Sequence, residues 1–539
     1  MKRRWFVLSN MGPWQRRITT IVLLALLVPL ISFAPVSHLI PRAQPALLEL
    51  AAEQPDVLAQ VIVRKVAQAK PVETEVVRLG GQITRSLEMI NGFAAILPAK
   101  QIPVVARLDG VAWISLDAPV VSSACPKCPD AGTITSAYIQ TVGVDRVWQE
   151  MPNMARRGLA VAVIDSGVAN HPDLGFTAQR NSRLRVTAEF PRSPTTAGDR
   201  FGHGTHVAGI VAGNGTASGG RITGVAPMVN VINVKVTDDS GMATMSDLMN
   251  GLQWVYENAQ RHNIRVVNLS MNSVVEESYH TSPLSAALEL LWMRGIMVVV
   301  AAGNTGNSGI YPPANDPFVI TVGAADDRGT SNPADDVVAD FSSRGTTIDG
   351  FSKPDLVAPG RGIVSLLSSP DAVIAQESPT NVQDNVYFRM SGTSVAAPIV
   401  AGSIALLLAD EPQLNPDQVK ARLMKTARPM ASAGAGAGML DAYASITSEE
   451  KGNANDGIML SQLLWDAADS PIYYNSRAWT SDGSWTSRNW TSRSWTSRSW
   501  TSGAWGQLET WTSRAWTSQS IISRAWTSMS IQSVGAASE

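Results

Sequence analysis

The sequence predicts an α/β fold: a mainly parallel sheet covered by helices on both faces, preceded by a small α+β unit. Three observations support this. Short apolar-rich runs recur at 159–165 (LAVAVID, the least interrupted), 229–236, 265–271, 296–304 and 318–324. Runs of that length without polar alternation suit strands buried on both faces. Helical patterns lie between them, and strands alternating with helices imply parallel crossovers. Ligands of such sheets gather at the carboxyl ends of the strands.

The helices carry recognisable ends. Ser246 is the expected N-cap of DLMNGLQWVYENAQ, and Gly295 ends PLSAALELLWMR. Asn415 caps NPDQVKARLMKTA, with Pro416 at the first helical position. In the small unit, 56–120, LAQVIVRKV, INGFAAILP and VAWISLDAP read as strands, and a helix is expected within 71–81. Residues 35–55 read as a linker and 121–133 as a loop. The main α/β unit spans 134–447. The tail, 448–539, is a low-complexity repeat of Trp-Thr-Ser with a five-residue period, which fits no single helical face. Its arginines and tryptophans suit contact with the cell envelope or a glycan; a processed extension without structure is the alternative.

With 45% apolar and 16% charged residues, the 539-residue chain can build a large core. A net charge of -2 gives no reason to invoke nucleic acid as a partner. The two cysteines, Cys125 and Cys128, exclude a disulfide-dense scaffold; a local disulfide is the plainest reading of the pair. Lys2, Arg3, Arg4, Arg16 and Arg17 precede the apolar run 18–34, which reads as an export signal over 1–34. Pro35, directly after Ser32-Phe33-Ala34, leaves a retained membrane anchor through 18–34 as the alternative.

Chemistry enters with Ser394, set among small residues at the mouth of an apolar helix. Such a serine is ordinarily a cap. Its partners decide otherwise. Asp165 ends a buried strand, where an orienting carboxylate belongs. His203 starts a glycine-flanked apolar helix, with His206 one turn on as a structural residue. Asn304 ends another strand and offers an amide to a developing oxyanion. Asp, His and Ser in this chain order, each at an element boundary, form a nucleophilic triad in the subtilisin order.

The motifs VAVIDSGV, GHGTHVAG, AAGN and SGTSVAAP, with HPDL, GVAP and PDLVAPG between them, resemble those of the subtilisin-like serine peptidases, the subtilases. The resemblance implies a three-layer subtilisin-like fold and a secreted, autoprocessed serine endopeptidase. Asp165, His203 and Ser394 are its catalytic residues, and Asn304 lies in its oxyanion hole. Peptide substrates would lie along Asn268, Leu269 and Ser270 and along Ala301, Ala302 and Gly303, with Ile310 near the base of the S1 pocket. No acidic residue is evident there, so an apolar or medium-sized P1 residue is expected. Asn272 stands where the family usually has Gly. Residues 56–120 resemble the family's inhibitory propeptide, which the enzyme would cut away between Val120 and Thr141. No cofactor is implied for catalysis. Asp173 is a candidate ligand for a structural calcium ion. The reading from another class is an envelope-associated interaction protein whose tail is the main functional element.

Overall fold

The computed structural model describes residues 42–66, 72–124, 137–151, 158–175, 183–191, 193, 195–464 and 472–478. The export segment 1–34, Cys125, Cys128 and the repeat from Trp479 onward lie outside them. The first unit contains α1 (Pro45–Glu53), β1 (Leu58–Lys65), α2 (Val72–Arg78), β2 (Gln82–Leu87), β3 (Gly92–Pro98) and β4 (Val111–Leu116). Its antiparallel sheet has the order β2-β3-β1-β4. Strand alternation divides β1 between two cores. Val61 and Val63 pack inside the unit with Leu47, Leu50, Phe93 and Ile114. Ile62, facing the other way, joins the main core together with Leu87 and Ala94. The expected linker is therefore partly wrong. Pro45 opens a helix at its first position, and Leu47 and Leu50, three apart, bury one face of it.

The expected loop after residue 120 also begins too early. β5 (Pro119–Ser122) is a strand. The main body follows with β6 (Ala160–Asp165), β7 (Leu184–Glu189), α3 (His203–Ala212), β8 (Asn230–Lys235), β9 (Met242–Thr244), α4 (Met245–His262) and β10 (Ile264–Leu269). Next come β11 (Met271–Ser273), α5 (Pro283–Met293), β12 (Met297–Ala301), β13 (Ile320–Asp326), β14 (Val337–Val338) and β15 (Leu356–Pro359). The long helices α6 (Thr393–Asp410) and α7 (Pro416–Thr426) complete the set needed here. The central sheet runs β14-β13-β12-β10-β6-β8-β7, with β15 also paired to β13. All pairs are parallel except β13 with β14. Every residue of β6, β12 and β13 is buried, which requires cover on both faces. Among the described residues, α6 is long and apolar enough to cross a membrane, yet 94% of it is buried inside this fold.

The caps differ in one place. Thr244, not Ser246, caps α4, because its hydroxyl reaches Asp247 N while the Asp247 carboxylate returns to Thr244 N. Ser246 instead donates its N–H and its hydroxyl to the two oxygens of Asp117, both at 2.8 Å. Asn415 caps α7 as expected, in a capping box with Gln418. The tail boundary at 448 also falls too early. Leu460, Leu463, Ile472 and Tyr474 pack in the main core, and Tyr474 meets the Phe318 ring edge-on at 5.7 Å.

Several polar links tie the first unit to the body. Asp117 to Ser246 is one. Arg85 donates to Asp247 at 2.6 Å and to Phe190 O at 2.7 Å. Ser115 Oγ donates to Glu277 at 3.1 Å. Burial pushes the Glu277 carboxyl up to about 8, with Asp349 adding to the rise and the Ser115 and Ser282 hydroxyls opposing it. Folded Glu277 thus keeps its proton where an unfolded glutamate, near 4.5, has lost it. The linked stability is full below that value and is lost as pH rises through about 8. Thermal melts from pH 5 to 8 should show a falling melting temperature, and Glu277→Gln should flatten the slope.

Candidate active site

The carboxyl edge of the sheet gathers the sequence-predicted residues. Asp165 is the last residue of β6. Its Oδ1 accepts from Ser166 N at 2.7 Å and lies 2.8 Å from His203 Nδ1. Both side chains are buried. His203 opens α3 behind Gly202, whose φ of 101° suits glycine. Asp199 was not anticipated and clamps this corner. Its carboxylate accepts from Ser166 Oγ, Gly202 N, Thr205 N and Thr205 Oγ1 at 2.7–2.9 Å. Ser166 Oγ accepts in turn from Gly204 N at 2.9 Å. The strand end and the helix start are thus tied by one buried carboxylate. His206 plays a different part. Its Nε2 bonds Phe388 O at 3.0 Å, and burial, with His203 nearby, holds it down at about 3, so the ring stays neutral.

Ser394 is the second residue of α6 and is fully buried. Its Oγ and the Nε2 of His203 have no hydrogen-bond partner among the described residues. Its backbone N–H donates to the carbonyl of Ser123 at 3.3 Å. Asn304 Nδ2 donates to the same oxygen. The Asn304 amide is fixed in that sense because its Oδ1 accepts from Thr393 N at 2.9 Å and from Thr393 Oγ1 at 3.1 Å. Two amide donors on one carbonyl polarise it toward nucleophilic attack. Gly392, with φ of 149°, leaves room for that carbonyl: a Cβ there would lie 2.6 Å from Ser123 O.

Ser123 arrives as the continuation of β5. That strand lies between β9 and β11, antiparallel to both. The pairing continues through Ser123 N, which donates to Ser270 O at 3.0 Å. Ser270 Oγ donates to Ser394 O and accepts from Asn268 Nδ2, both at 2.9 Å. Leu269 is buried beneath them. On the other side, Ala301 O accepts from Asn272 Nδ2 at 3.0 Å, Ala302 N bonds Val322 O, and Gly303 N donates to Thr393 Oγ1 at 3.0 Å. Ile310 is buried in the main core, in a loop whose Pro312 O accepts from Ser273 N at 2.7 Å. Beside Asn272 lies Ser123, whose hydroxyl donates to the Asn272 side chain. Sequence reasoning missed β5, although the β-branched pair in PVVSS was its signal.

Asp173 is engaged within the fold. One carboxylate oxygen accepts from Ala217 N at 2.6 Å and the other from Tyr387 Oη at 2.7 Å. Asn214 Oδ1, in the neighbouring loop, accepts from Thr216 N and Oγ1. Among the described residues, no three His, Cys, Asp or Glu side chains cluster to hold a metal ion.

A buried parallel sheet with an Asp–His pair and an amide clasp at its carboxyl edge defines the class: an α/β protein built around a serine-hydrolase type of site. Residues 156–455 match the model of the subtilase family, and the chain belongs to that family. It is 41% identical over 271 residues to serine protease AprX of Bacillus subtilis, covering 49% of this chain and 60% of that one. A thermostable alkaline protease of Halalkalibacterium halodurans is 33% identical, over 50% of this chain and 62% of its own. Subtilisin E of B. subtilis is 31% identical, over 65% of this chain and 78% of its own. The chain thus spans about three fifths of the first two relatives. Among solved structures, fervidolysin of Fervidobacterium pennivorans shares the fold, with a TM-score of 0.56 and 24% identity over 76% of this chain and 63% of that one.

If Asp173 serves the fold and not an ion, excess chelator should move the melting temperature by less than about 1 °C. Asp173→Asn should instead destabilise by about 1–3 kcal/mol, measured by denaturant unfolding.

Proposed function

We propose that the chain is an exported serine endopeptidase that processes itself at the Ser123–Ala124 bond. The observation that carries this reading is the Ser123 carbonyl, held at once by Ser394 N and Asn304 Nδ2. The relatives named as serine and alkaline proteases support it, and the basic-then-apolar N-terminus supports export. Ser394 Oγ is the nucleophile and adds to the carbonyl carbon of Ser123. Its proton passes to His203 Nε2, and Asp165 holds the ring in the tautomer that leaves Nε2 free to accept. The oxyanion forms between Ser394 N and Asn304 Nδ2. His203 then gives the proton to the departing amine of Ala124, and water hydrolyses the acyl-enzyme by the reverse roles. No metal or cofactor takes part in these steps. The unit ahead of Ser123 is the intramolecular inhibitor, since β5 fills the groove that a substrate peptide would enter by strand addition. External substrates are polypeptides.

Once the first unit has been digested away, a fluorophosphonate should label Ser394, located by mass spectrometry of the modified peptide. His203→Ala should abolish the label, and Asp165→Asn should lower turnover by about 10⁴-fold. Asn304→Ala should cost about 10²–10³ in kcat. A folded body freed of the first unit that takes no label would overturn the reading.

Self-processing has its own readout. N-terminal sequencing of the purified product should begin at Ala124, and Ser394→Ala should leave 123–124 intact. A new terminus elsewhere, formed just as fast in Ser394→Ala, would assign the cut to another protease.

A further inference from the structure

We infer that Asn272 makes the S1 pocket selective for a small hydroxyl side chain, serine first; this rests on the proposed function. Asn272 is the central residue of β11 and is 7% exposed. Its amide cannot turn freely. Nδ2 donates to Ala301 O at 3.0 Å, so Oδ1 must face the other way as a pure acceptor. The hydroxyl of Ser123 donates to that Oδ1. The acceptor therefore sits beside the side chain of the very residue whose carbonyl the two amides hold.

Geometry sets the size. A Cβ built on Gly303 would lie 3.6 Å from Asn272 Oδ1, so the strand end bearing Asn304 borders the same space. Ser123 itself is buried, which leaves its hydroxyl dependent on a protein partner. A leucine or phenylalanine in its place would bury Oδ1 without a donor. A buried acceptor left unpaired costs much more than one satisfied hydrogen bond contributes. The pocket thus discriminates by the penalty on the wrong residue, as sites built for a substrate hydroxyl do. Glycine at 272 would remove both the acceptor and the bulk.

The test uses the full chain and reads two things: the rate at which the fragment starting at Ala124 appears, and fluorophosphonate labelling of Ser394 after the first unit has been digested away. With Asn272 present, Ser123→Leu should slow that rate about ten- to a hundredfold and Ser123→Thr by much less. In Asn272→Gly the order should invert, so that Ser123→Leu/Asn272→Gly is processed faster than Ser123→Leu alone. That rescue separates selectivity from a folding defect, because a purely structural Asn272 would make the double variant worse. Label with equal processing of Ser123→Leu and the parent chain, or label with no rescue, would overturn the inference and leave the peptidase reading standing. Failure of the parent protein to label once its first unit has been digested away would overturn the peptidase reading itself, and the inference with it.

Discussion

The carbonyl of Ser123 is the point on which the rest of the architecture converges. Its two donors come from elements far apart in sequence: the first turn of α6 and the residue group just beyond β12. The first turn of any helix has N–H groups with no partner inside the helix. At α4, α5 and α7 one such group is satisfied locally, by the side chains of Thr244, Ser282 and Asn415. The two helices that start at the site lack such caps. α3 begins behind Gly202 and α6 behind Gly392, and neither glycine can offer a side chain. The uncapped end of α6 therefore keeps an N–H, and the positive end of the helix dipole, for a peptide oxygen. A stabilising cap has been left out where the chemistry needs the donors.

Holding those donors still is the task of the buried polar groups around them. Thr393 fixes Asn304, and Asp199 fixes Ser166, Gly202 and Thr205. Farther from the site, Asp355 accepts from Thr321 N at 2.7 Å and from Lys353 Nζ at 2.9 Å, with Lys420 Nζ at 3.2 Å. Burial pulls the Lys353 ammonium down to about 8, while the two lysines hold Asp355 below its usual range. Such a cluster contributes little net stability, because desolvation offsets attraction. It joins β13, the segment entering β15 and α7 by bonds that only one register satisfies. β13 pairs directly with β12, the strand that delivers Asn304.

The parts legible in sequence share a physical property: their signal is local. The buried strands announce themselves as apolar-rich runs; Asp165 and Asn304 stand at or just beyond strand ends, and His203 and Ser394 at helix starts, with glycines close by. Asn415-Pro416 specifies a helix start within two residues. The parts that were not legible depend on what lies opposite. β5 has four residues, and it is a strand only because β9 and β11 flank it. Ser246 has cap chemistry, but Thr244 has it too, and the choice follows from Asp117 of another unit arriving at Ser246. The apolar residues 460–474 sit next to a low-complexity repeat, whose composition hides that they pack on the body. Asp173 is a carboxylate in a suggestive motif, and only the structure shows that Ala217 and Tyr387 already occupy it.

The same interfaces decide what cutting one bond can achieve. Hydrolysis at Ser123–Ala124 would remove a covalent link but none of the contacts that hold the first unit in place. β5 would still be paired on both sides, and Ile62, Leu87 and Ala94 would still be packed in the main core. Arg85, Asp117 and Ser115 would still face Asp247, Ser246 and Glu277. Separation would expose that apolar face and leave Asp117 and Arg85 to find water, while Ser246 lost its partner at the start of α4. On the proposed reading, a cut unit bound in this way would remain in the groove until its own fold is lost. Its stability rests on a small core around β1 and β3, and domains of that size are marginal. On the proposed self-processing, release of the site would be governed by unfolding or digestion of the first unit and not by the speed of the chemical step.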